Sequence, residues 1–347
     1  MANLGHNITK KSYSVNILFF GTSSFAVPSL HALARSGYFI AGVVTKPDEP
    51  VGRGQKLTPP PAKIEAEKLG LPVFQPVTLG DEQLRKDFPE ADLYIVAAYG
   101  AIIPAEMLLS PHLGALNIHP SLLPRWRGPS PIQFMILNGD IDAGVTIIKL
   151  DDLMDHGPIV AQRRLDTLHS PFKILYSTYL ELHDYLAKRG ADLLIETIPK
   201  WIKGEIAPVP QDDTKATYSK ILKKDDGRID WKKPAEKIER MVRAFTPWPG
   251  AWTMWPSRDK IYRIRIEEAA VIDDEPPLEE ASLASNSAGG PPRGSPGFVW
   301  SSDSAPLLVK TGKGSVEIKR LTLQAKKPLD AASFVRGYKE ITGSVLI

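Results

Sequence analysis

The sequence predicts an α/β fold: a Rossmann-like, mostly parallel sheet with helices on both faces, followed by a small C-terminal antiparallel β-barrel that is OB-like. Short apolar runs rich in β-branched residues alternate with helical patterns through the first two hundred residues, as expected for strands covered on both faces. Segments that alternate polar and apolar residues follow near the C-terminus, which is typical of antiparallel strands. The length of 347 residues suggests about two domains.

The first elements of the α/β region are a strand and a helix. The run NILFFG at 16–21 ends in glycine and has the continuous apolar character of a buried parallel strand. SFAVPSLHALARSG then predicts a helix with Ser24 as its N-cap and Gly37 as its stop. Four more runs, FIAGVVT, LYIVAA, GALNI and GVTIIKL, predict strands, and a longer helical region at 172–204 is expected to close the domain.

The C-terminal part begins after a proline-bearing stretch, APVPQDDTKATYSK, which predicts a linker. The segment DWKKPAEKIERMVRAF places its apolar residues on one face of a helix. IYRIRIEEAAVI, GFVWSS, PLLVKTG and GSVEIKRLTLQ predict the strands of the barrel. An acidic segment that becomes rich in proline, glycine and serine predicts a flexible loop, because it cannot bury enough apolar surface to order itself. The expected organisation is an N-terminal extension at 1–14, an α/β domain at 15–206, a linker at 207–219 and a C-terminal domain at 220–347. The flexible loop is expected at about 273–297, inside the C-terminal domain.

The composition excludes several classes of protein. There are no cysteines, so disulfides and thiol catalysis are ruled out and a reducing compartment is favoured. No apolar run approaches the ~20 residues of a membrane helix, and the first residues lack the apolar core of a secretory signal. We therefore expect a cytoplasmic protein that does not enter a membrane.

The net charge of +3 is distributed unevenly along the chain. Residues 215–265 carry +8, residues 266–309 carry −7 and residues 310–347 carry +5. A separated basic surface favours a polyanionic partner such as a nucleic acid. A basic surface that is merely solvated is the alternative.

The stretch NIHPSLLPRWRG at 117–128 carries the first candidate site residues, Asn117 and His119. Side chains two residues apart on a strand point to the same face, and ligands of open α/β sheets bind near the C-terminal strand ends. An amide can donate a hydrogen bond to an oxyanion, and an imidazole can move a proton near neutral pH. The pair therefore suits attack on a carbonyl group. An asparagine that caps a turn and a histidine with a structural role are the alternative.

The run GVTIIKLDDLMDHG adds three aspartates, Asp151, Asp152 and Asp155. A carboxylate beside His119 would favour the charged imidazole and select its tautomer. The tight turn that follows Asp155 makes it the best placed of the three. A metal cluster is the alternative, but the spacing fits no ligand pattern, so no metal is expected.

Two loops complete the candidate site. Pro120 and Pro124 stiffen the Ser-Leu-Leu segment between them, since each proline fixes its own φ and restricts the residue before it. PVGRGQKLTPP places Arg53 and Lys56 in a glycine-bearing loop that either contacts phosphates or is an ordinary surface loop. The turn GTSSF after the first strand lacks the G-x-G-x-x-G pattern, which disfavours a nicotinamide dehydrogenase.

Together these motifs resemble the formyltransferase family that uses 10-formyltetrahydrofolate. The resemblance rests on Asn-Ile-His-x-Ser-Leu-Leu-Pro-x-x-Arg-Gly, Pro-Ile-Gln, Gly-Val-Thr and Met-Asp-x-Gly-Pro-Ile. PVGRGQKLTPP, VAAYGAIIP, LPRWRGPSPIQ, the IDW segment and RAFTPWPGAW are similar to the tRNA-directed branch of that family. Pro120, Leu153 and His156 depart from residues common in the family.

The resemblance implies transfer of a formyl group from 10-formyltetrahydrofolate to the α-amino group of initiator methionyl-tRNA. It implies an N-terminal folate domain, a C-terminal tRNA-binding barrel and, we expect, a monomer. The implied catalytic residues are Asn117, His119 and Asp155, the folate-binding residues are Ser121, Leu122, Leu123 and Pro124, and the tRNA-binding residues are Arg53 and Lys56. Four alternatives remain open here: a sister formyltransferase for a nucleotide sugar or purine precursor, a 10-formyltetrahydrofolate hydrolase, a non-catalytic RNA-binding module and a nicotinamide oxidoreductase.

Overall fold

The computed structural model describes residues 15–52, 54–80, 86–165, 177–257, 260–272, 294–303 and 305–347. The chain forms two compact units. The first unit consists of Met1–Pro131, Asp142–Leu168 and Leu182–Lys220, and the second consists of Ile132–Ile141, His169–Glu181 and Ile221–Ile347. The predicted N-terminal extension at 1–14, and the predicted flexible loop up to residue 293, lie outside the described residues.

In the first unit, the described residues form a sheet of seven strands in the order β5-β2-β1-β6-β7-β8-β9. The strands are β1 (Asn16–Gly21), β2 (Phe39–Val44), β5 (Val73–Phe74), β6 (Leu93–Ala97), β7 (Ala115–His119), β8 (Gly144–Lys149) and β9 (Ile159–Arg164), and a separate hairpin contains β3 (Glu49–Val51) and β4 (Lys56–Thr58). The first five strands of the order are parallel, which confirms the predicted mostly parallel sheet. β8 and β9 form an antiparallel edge that the sequence did not indicate.

The chain order reverses at β1, because β2 and β5 lie on one side of that strand and β6 and β7 on the other. Such reversals leave a crevice at the C-terminal strand ends, where ligands of α/β sheets bind. The turns that follow β1 and β6 meet there, since the Thr22 hydroxyl donates a 2.7 Å hydrogen bond to the Tyr99 carbonyl. β7 lies next to β6, so its C-terminal residues are close to this crevice.

Five α-helices lie between or after the strands of this sheet in the described sequence. Their bounds are α1 (Val27–Arg35), α2 (Pro61–Lys68), α3 (Ala105–Leu108), α4 (Pro131–Asn138) and α5 (Tyr179–Ile202). Gly37 follows α1 at φ +79°, as predicted for a helix stop. The prediction of Ser24 as the N-cap is wrong, because a short 3₁₀ turn at Ser24–Ala26 precedes α1 and Ser23 is its capping residue. The Ser24 hydroxyl instead lies 3.4 Å from His183 Nε2.

The second unit is built on an antiparallel sheet with the order β10-β11-β14-β13-β12 and a short β15 beside β14. Its elements are α6 (Ala235–Phe245), β10 (Ala251–Ser257), β11 (Lys260–Ile272), β12 (Val299–Trp300), β13 (Leu308–Lys310), β14 (Ser315–Leu323), β15 (Leu329–Asp330) and α7 (Ala331–Gly337). The predicted apolar face of α6 is confirmed, since Ile238 and Val242 are buried against the sheet core. Both predicted features, the helix and the antiparallel strands, are therefore present.

The C-terminal tail links the two ends of this antiparallel sheet. On one side, the backbones of Ile347 and Met254 in β10 exchange two 2.9 Å hydrogen bonds. On the other side, the Val299 amide of β12 donates to the Ser344 carbonyl at 3.0 Å, and Leu346 donates to Gly297. The tail thus supplies the pairing that gives the sheet a barrel-like closure.

Among the residues that the structure describes, no helix combines the length and the apolar character needed to span a bilayer.

Candidate active site

The structure brings Asn117, His119 and Asp155 together. Asn117 and His119 are two residues apart on β7 and share one face of the strand, as predicted. The Asn117 Nδ2 atom and the His119 Nδ1 atom each lie 3.5 Å from Asp155 Oδ1. His119 is buried, whereas Asn117 is only partly buried and keeps a face open to a ligand.

The His119 ring is held from both sides. Its Nε2 atom lies 2.9 Å from the carbonyl oxygen of Trp126. Because a carbonyl oxygen only accepts hydrogen bonds, Nε2 carries the proton in this contact and Nδ1 is the nitrogen that faces Asp155. Trp126 itself has a left-handed backbone with φ +59°. The imidazole orientation therefore depends on the loop that follows the two prolines.

Asp155 reaches β7 by a route that the sequence did not show. β8 is antiparallel to β7, so the end of β8 lies beside Leu116 and not at the C-terminal edge of β7. The loop at 150–158 folds back to bring the carboxylate to Asn117 and His119. The Gly128 amide donates a 2.8 Å hydrogen bond to Asp155 Oδ2 and orients it. Gly157 permits this turn, because a Cβ atom there would lie 1.8 Å from the Lys149 carbonyl oxygen.

The other two aspartates of this loop do not face His119. Asp152 is exposed, and Asp151 accepts a 2.7 Å hydrogen bond from His156 Nδ1. That hydrogen bond raises the pKa of His156. His156 Nε2 lies 3.6 Å from Asp213, whose own pKa is lowered by its hydrogen bond from a neighbouring arginine. A second titratable ring therefore lies beside the site, paired to the outer carboxylates.

The Ser121–Pro124 loop is held by two side chains that sequence reasoning missed, Thr146 and Gln162. The Thr146 hydroxyl donates to the Ser121 carbonyl at 2.6 Å and accepts from the Leu123 amide at 3.1 Å. Gln162 donates to the Leu123 carbonyl and to the Thr146 hydroxyl, both at 2.9 Å. Ser121 and Leu123 are buried, and Leu122 and Pro124 are the partly exposed members of the loop. An inward threonine on β8 and a glutamine on β9 carried no local signal of this role.

The stretch predicted as a linker makes backbone contacts with the site. Residues 211–219, called here the strap, run beside the loop at 124–130. The Trp126 amide donates to the Thr217 hydroxyl and the Arg127 amide to the Thr217 carbonyl, both at 2.9 Å. Gly128 has φ +100°, and a Cβ atom there would lie 2.6 Å from the Ser219 carbonyl oxygen. The strap therefore fixes the loop that carries the Trp126 carbonyl and the Gly128 amide.

Lys56, one of the two predicted tRNA-contacting residues, lies in the separate hairpin. Lys56 begins β4 and is exposed. Arg53 lies outside the described residues. An ion pair of 2.9 Å between Lys63 and Asp48 lies at the base of this hairpin, and Gln75 donates to the same carboxylate at 2.8 Å.

Within the described ranges, no cluster of three or more histidine, aspartate or glutamate side chains is arranged to hold a metal ion. The convergent groups are an amide donor, a fixed imidazole and a carboxylate, set on a mostly parallel sheet. That set suits nucleophilic attack on a carbonyl carbon, because the amide can donate to the developing oxyanion and the imidazole and carboxylate can accept the proton that the nucleophile loses. Such chemistry is typical of acyl-group transferases.

Comparison with known proteins gives the family. The chain matches the formyl transferase family over residues 15–185 and the formyl transferase C-terminal domain over residues 221–339. A methionyl-tRNA formyltransferase from Chloroflexus aurantiacus is 42% identical over 325 residues, which cover 93% of this chain and 97% of that protein. One from Synechococcus sp. (strain JA-3-3Ab) is 41% identical over 335 residues, covering 93% and 95%. The chain therefore belongs to the methionyl-tRNA formyltransferase family.

A solved structure agrees with this fold. The crystal structure of HypX from Aquifex aeolicus in complex with tetrahydrofolic acid superposes with a TM-score of 0.60 at 17% identity. The match covers 95% of this chain and 48% of that one. At this identity the likeness concerns the fold alone.

Proposed function

We infer that the chain transfers the formyl group of 10-formyltetrahydrofolate to the α-amino group of methionine on initiator methionyl-tRNA, which gives N-formylmethionyl-tRNA. The observation that carries this function is the convergence of Asn117 and His119 on one oxygen of Asp155, at 3.5 Å each, in a chain that belongs to this family. Relatives named for the reaction match nearly their whole length. This membership also disfavours the oxidoreductase and the non-catalytic RNA-binding module.

Asn117 is proposed to stabilise the negative charge that develops in the reaction. The amine nitrogen forms a bond to the formyl carbon, and the carbonyl oxygen of that group becomes an oxyanion. The Asn117 amide is a suitable donor because it belongs to strand β7 and is partly exposed. Preorganised donors of this kind need no rearrangement as the charge forms.

His119 and Asp155 are proposed to transfer protons during the reaction. The amine loses a proton as it becomes an amide, and N10 of tetrahydrofolate gains one when the bond between N10 and the formyl carbon breaks. The Asp155 carboxylate lies 3.5 Å from the Nδ1 atom of the His119 ring, so a proton can be shared between the two groups. The pair can therefore take up one proton and return another without a net change in the enzyme.

The remaining predicted residues have roles that follow from the same proposal. The Ser121–Pro124 loop is proposed to bind the folate, Arg53 and Lys56 to contact the acceptor arm of the tRNA, and the basic second unit to contact tRNA phosphates. The exposed position of Lys56 supports its role. The monomeric state and the cytoplasmic location stay predictions.

The test of the catalytic assignment is Asn117→Ala. Losing one oxyanion donor costs about 100 to 1,000-fold in rate, so kcat for transfer of labelled formyl should fall by that factor. Asn138→Ala is the matched control, because Asn138 is another asparagine amide, located at the end of α4 and bonded within its own helix. Release of formate is measured in the same assay, which separates transfer from hydrolysis. Normal turnover by Asn117→Ala would contradict the assignment.

A further inference from the structure

The side-chain amide of Gln211, in the strap, forms hydrogen bonds with both Arg127 and the loop at 155–157. Its Oε1 atom accepts hydrogen bonds from Arg127 Nε at 3.0 Å and Arg127 Nη2 at 2.9 Å. Its Nε2 atom donates to the Asp155 carbonyl at 2.9 Å and the Gly157 carbonyl at 2.8 Å. Both donor hydrogens and the acceptor oxygen are therefore used.

The backbone that Gln211 holds is unusual. Asp155 has φ +50°, in the left-handed region that residues other than glycine rarely adopt. Such a conformation persists only where its surroundings enforce it. Gln211 binds the carbonyls on either side of His156, so it constrains the turn at the residue whose carboxylate serves Asn117 and His119.

Arg127 gives this contact a rigid base. Its side chain is buried, and its Nη2 atom donates a 2.7 Å hydrogen bond to Asp213, which is also in the strap. The guanidinium thus bridges Gln211 and Asp213, and a planar group with fixed donors leaves the amide little freedom to rotate. The next residue, Gly128, is the one whose amide orients the Asp155 carboxylate. The adjacent residues Arg127 and Gly128 therefore fix Asp155, Arg127 by holding Gln211 and Gly128 by binding the carboxylate.

We propose that Gln211 is a positioning residue that sets the reach of the Asp155 carboxylate to Asn117 and His119. This inference rests on the proposed function, because it assumes that Asp155 takes part in formyl transfer. The stretch predicted as a linker would then also position a residue of the site. No other neutral side chain of this length supplies two donors and an acceptor in one plane.

The test compares Gln211→Glu with Gln211→Met. Glutamate keeps the length and the acceptors for Arg127, but it loses both donors and places negative charge against two carbonyl oxygens. Methionine loses both sets of contacts. If Gln211 only satisfied Arg127, Gln211→Glu would transfer formyl as fast as the wild type. If Gln211 positions Asp155, kcat should fall about 10 to 100-fold in both variants, because a shift of about 1 Å at a catalytic group can lower the rate by about 100-fold.

Two controls make the result decisive. Leu109→Glu introduces the same charge at an exposed position of the first unit that has no proposed role in binding folate or tRNA, and its kcat at saturating substrates should not change. Gln211→Glu is also combined with Asp155→Asn. Because Gln211 acts through Asp155, the double variant should transfer no more slowly than Asp155→Asn alone. A loss that persists in the double variant would overturn the proposal.

Hydrogen exchange provides a readout that does not depend on activity. Exchange of backbone amides in residues 150–158 should quicken in Gln211→Glu and stay as in the wild type in Leu109→Glu. A wild-type chain without formyl transfer would contradict the proposed function, whereas unchanged exchange and kcat in Gln211→Glu would overturn the positioning role. Loss of the cooperative unfolding transition in both Gln211 variants would also overturn it, because the residue would then be needed for the fold.

Discussion

The turn after Asp155 depends on one glycine, and Gly157→Ala tests whether the position of that turn governs catalysis. A Cβ atom at Gly157 would lie 1.8 Å from the Lys149 carbonyl oxygen, and Cβ atoms essentially never approach other atoms closer than 3.0 Å. Lys149 is paired with Leu116 in the sheet, so the strand cannot move aside easily. The loop must shift by more than about 1 Å, and Asp155 must move with it.

A displacement of about 1 Å at a catalytic group can cost about 100-fold in rate. We therefore expect kcat for formyl transfer by Gly157→Ala to fall by about that factor at saturating folate and tRNA. Gly337→Ala is the matched control, since no atom lies within 4 Å of its added Cβ and it ends α7 in the second unit. The assay is transfer of labelled formyl, with thermal unfolding measured on both variants. A Gly157→Ala enzyme that folds and keeps kcat within threefold of the wild type would refute the reasoning.

Two further predictions follow from the site. Thr146→Val removes a buried hydroxyl and leaves the Ser121 carbonyl and the Leu123 amide without their hydrogen-bond partner. The free energy of unfolding in urea should fall by about 1–3 kcal/mol, and the KM for the folate should rise. An unchanged free energy of unfolding would count against this prediction. The pKa of His156 is raised in the folded chain by Asp151, so its stabilising contribution is full below the unfolded pKa of about 6.5 and is lost as pH rises through the higher folded pKa. The melting temperature of His156→Ala should therefore lie below that of the wild type near pH 6, and the gap should close toward pH 9; a gap independent of pH would contradict this assignment.

Local sequence patterns predicted the features that depend on local geometry. The run ending at His119 is a strand because its residues are apolar and buried between β6 and β8. The spacing of Asn117 and His119 predicted their shared face, since strand side chains alternate. The choice of Asp155 among three aspartates followed from the tight turn after it, and the structure brings that carboxylate to His119. The catalytic roles themselves stay predictions.

Features that depend on distant pairing could not be predicted from the sequence. The direction of β8 is set by its partners β7 and β9, and an apolar run has the same composition in either direction. The strap has the proline and polar content of a linker, but its hydrogen bonds to Trp126 and Arg127 join residues about ninety positions apart. The prediction that Ser24 is the N-cap of α1 was wrong, because a 3₁₀ turn begins at Ser24 and the helix starts only at Val27.

The most direct test of the proposed function is transfer of labelled formyl from 10-formyltetrahydrofolate by the wild-type chain, with initiator and elongator methionyl-tRNA in parallel reactions. Formylation of the initiator, with little or none of the elongator, is the predicted result. Release of formate with neither tRNA formylated would contradict the transferase function and leave only a folate site.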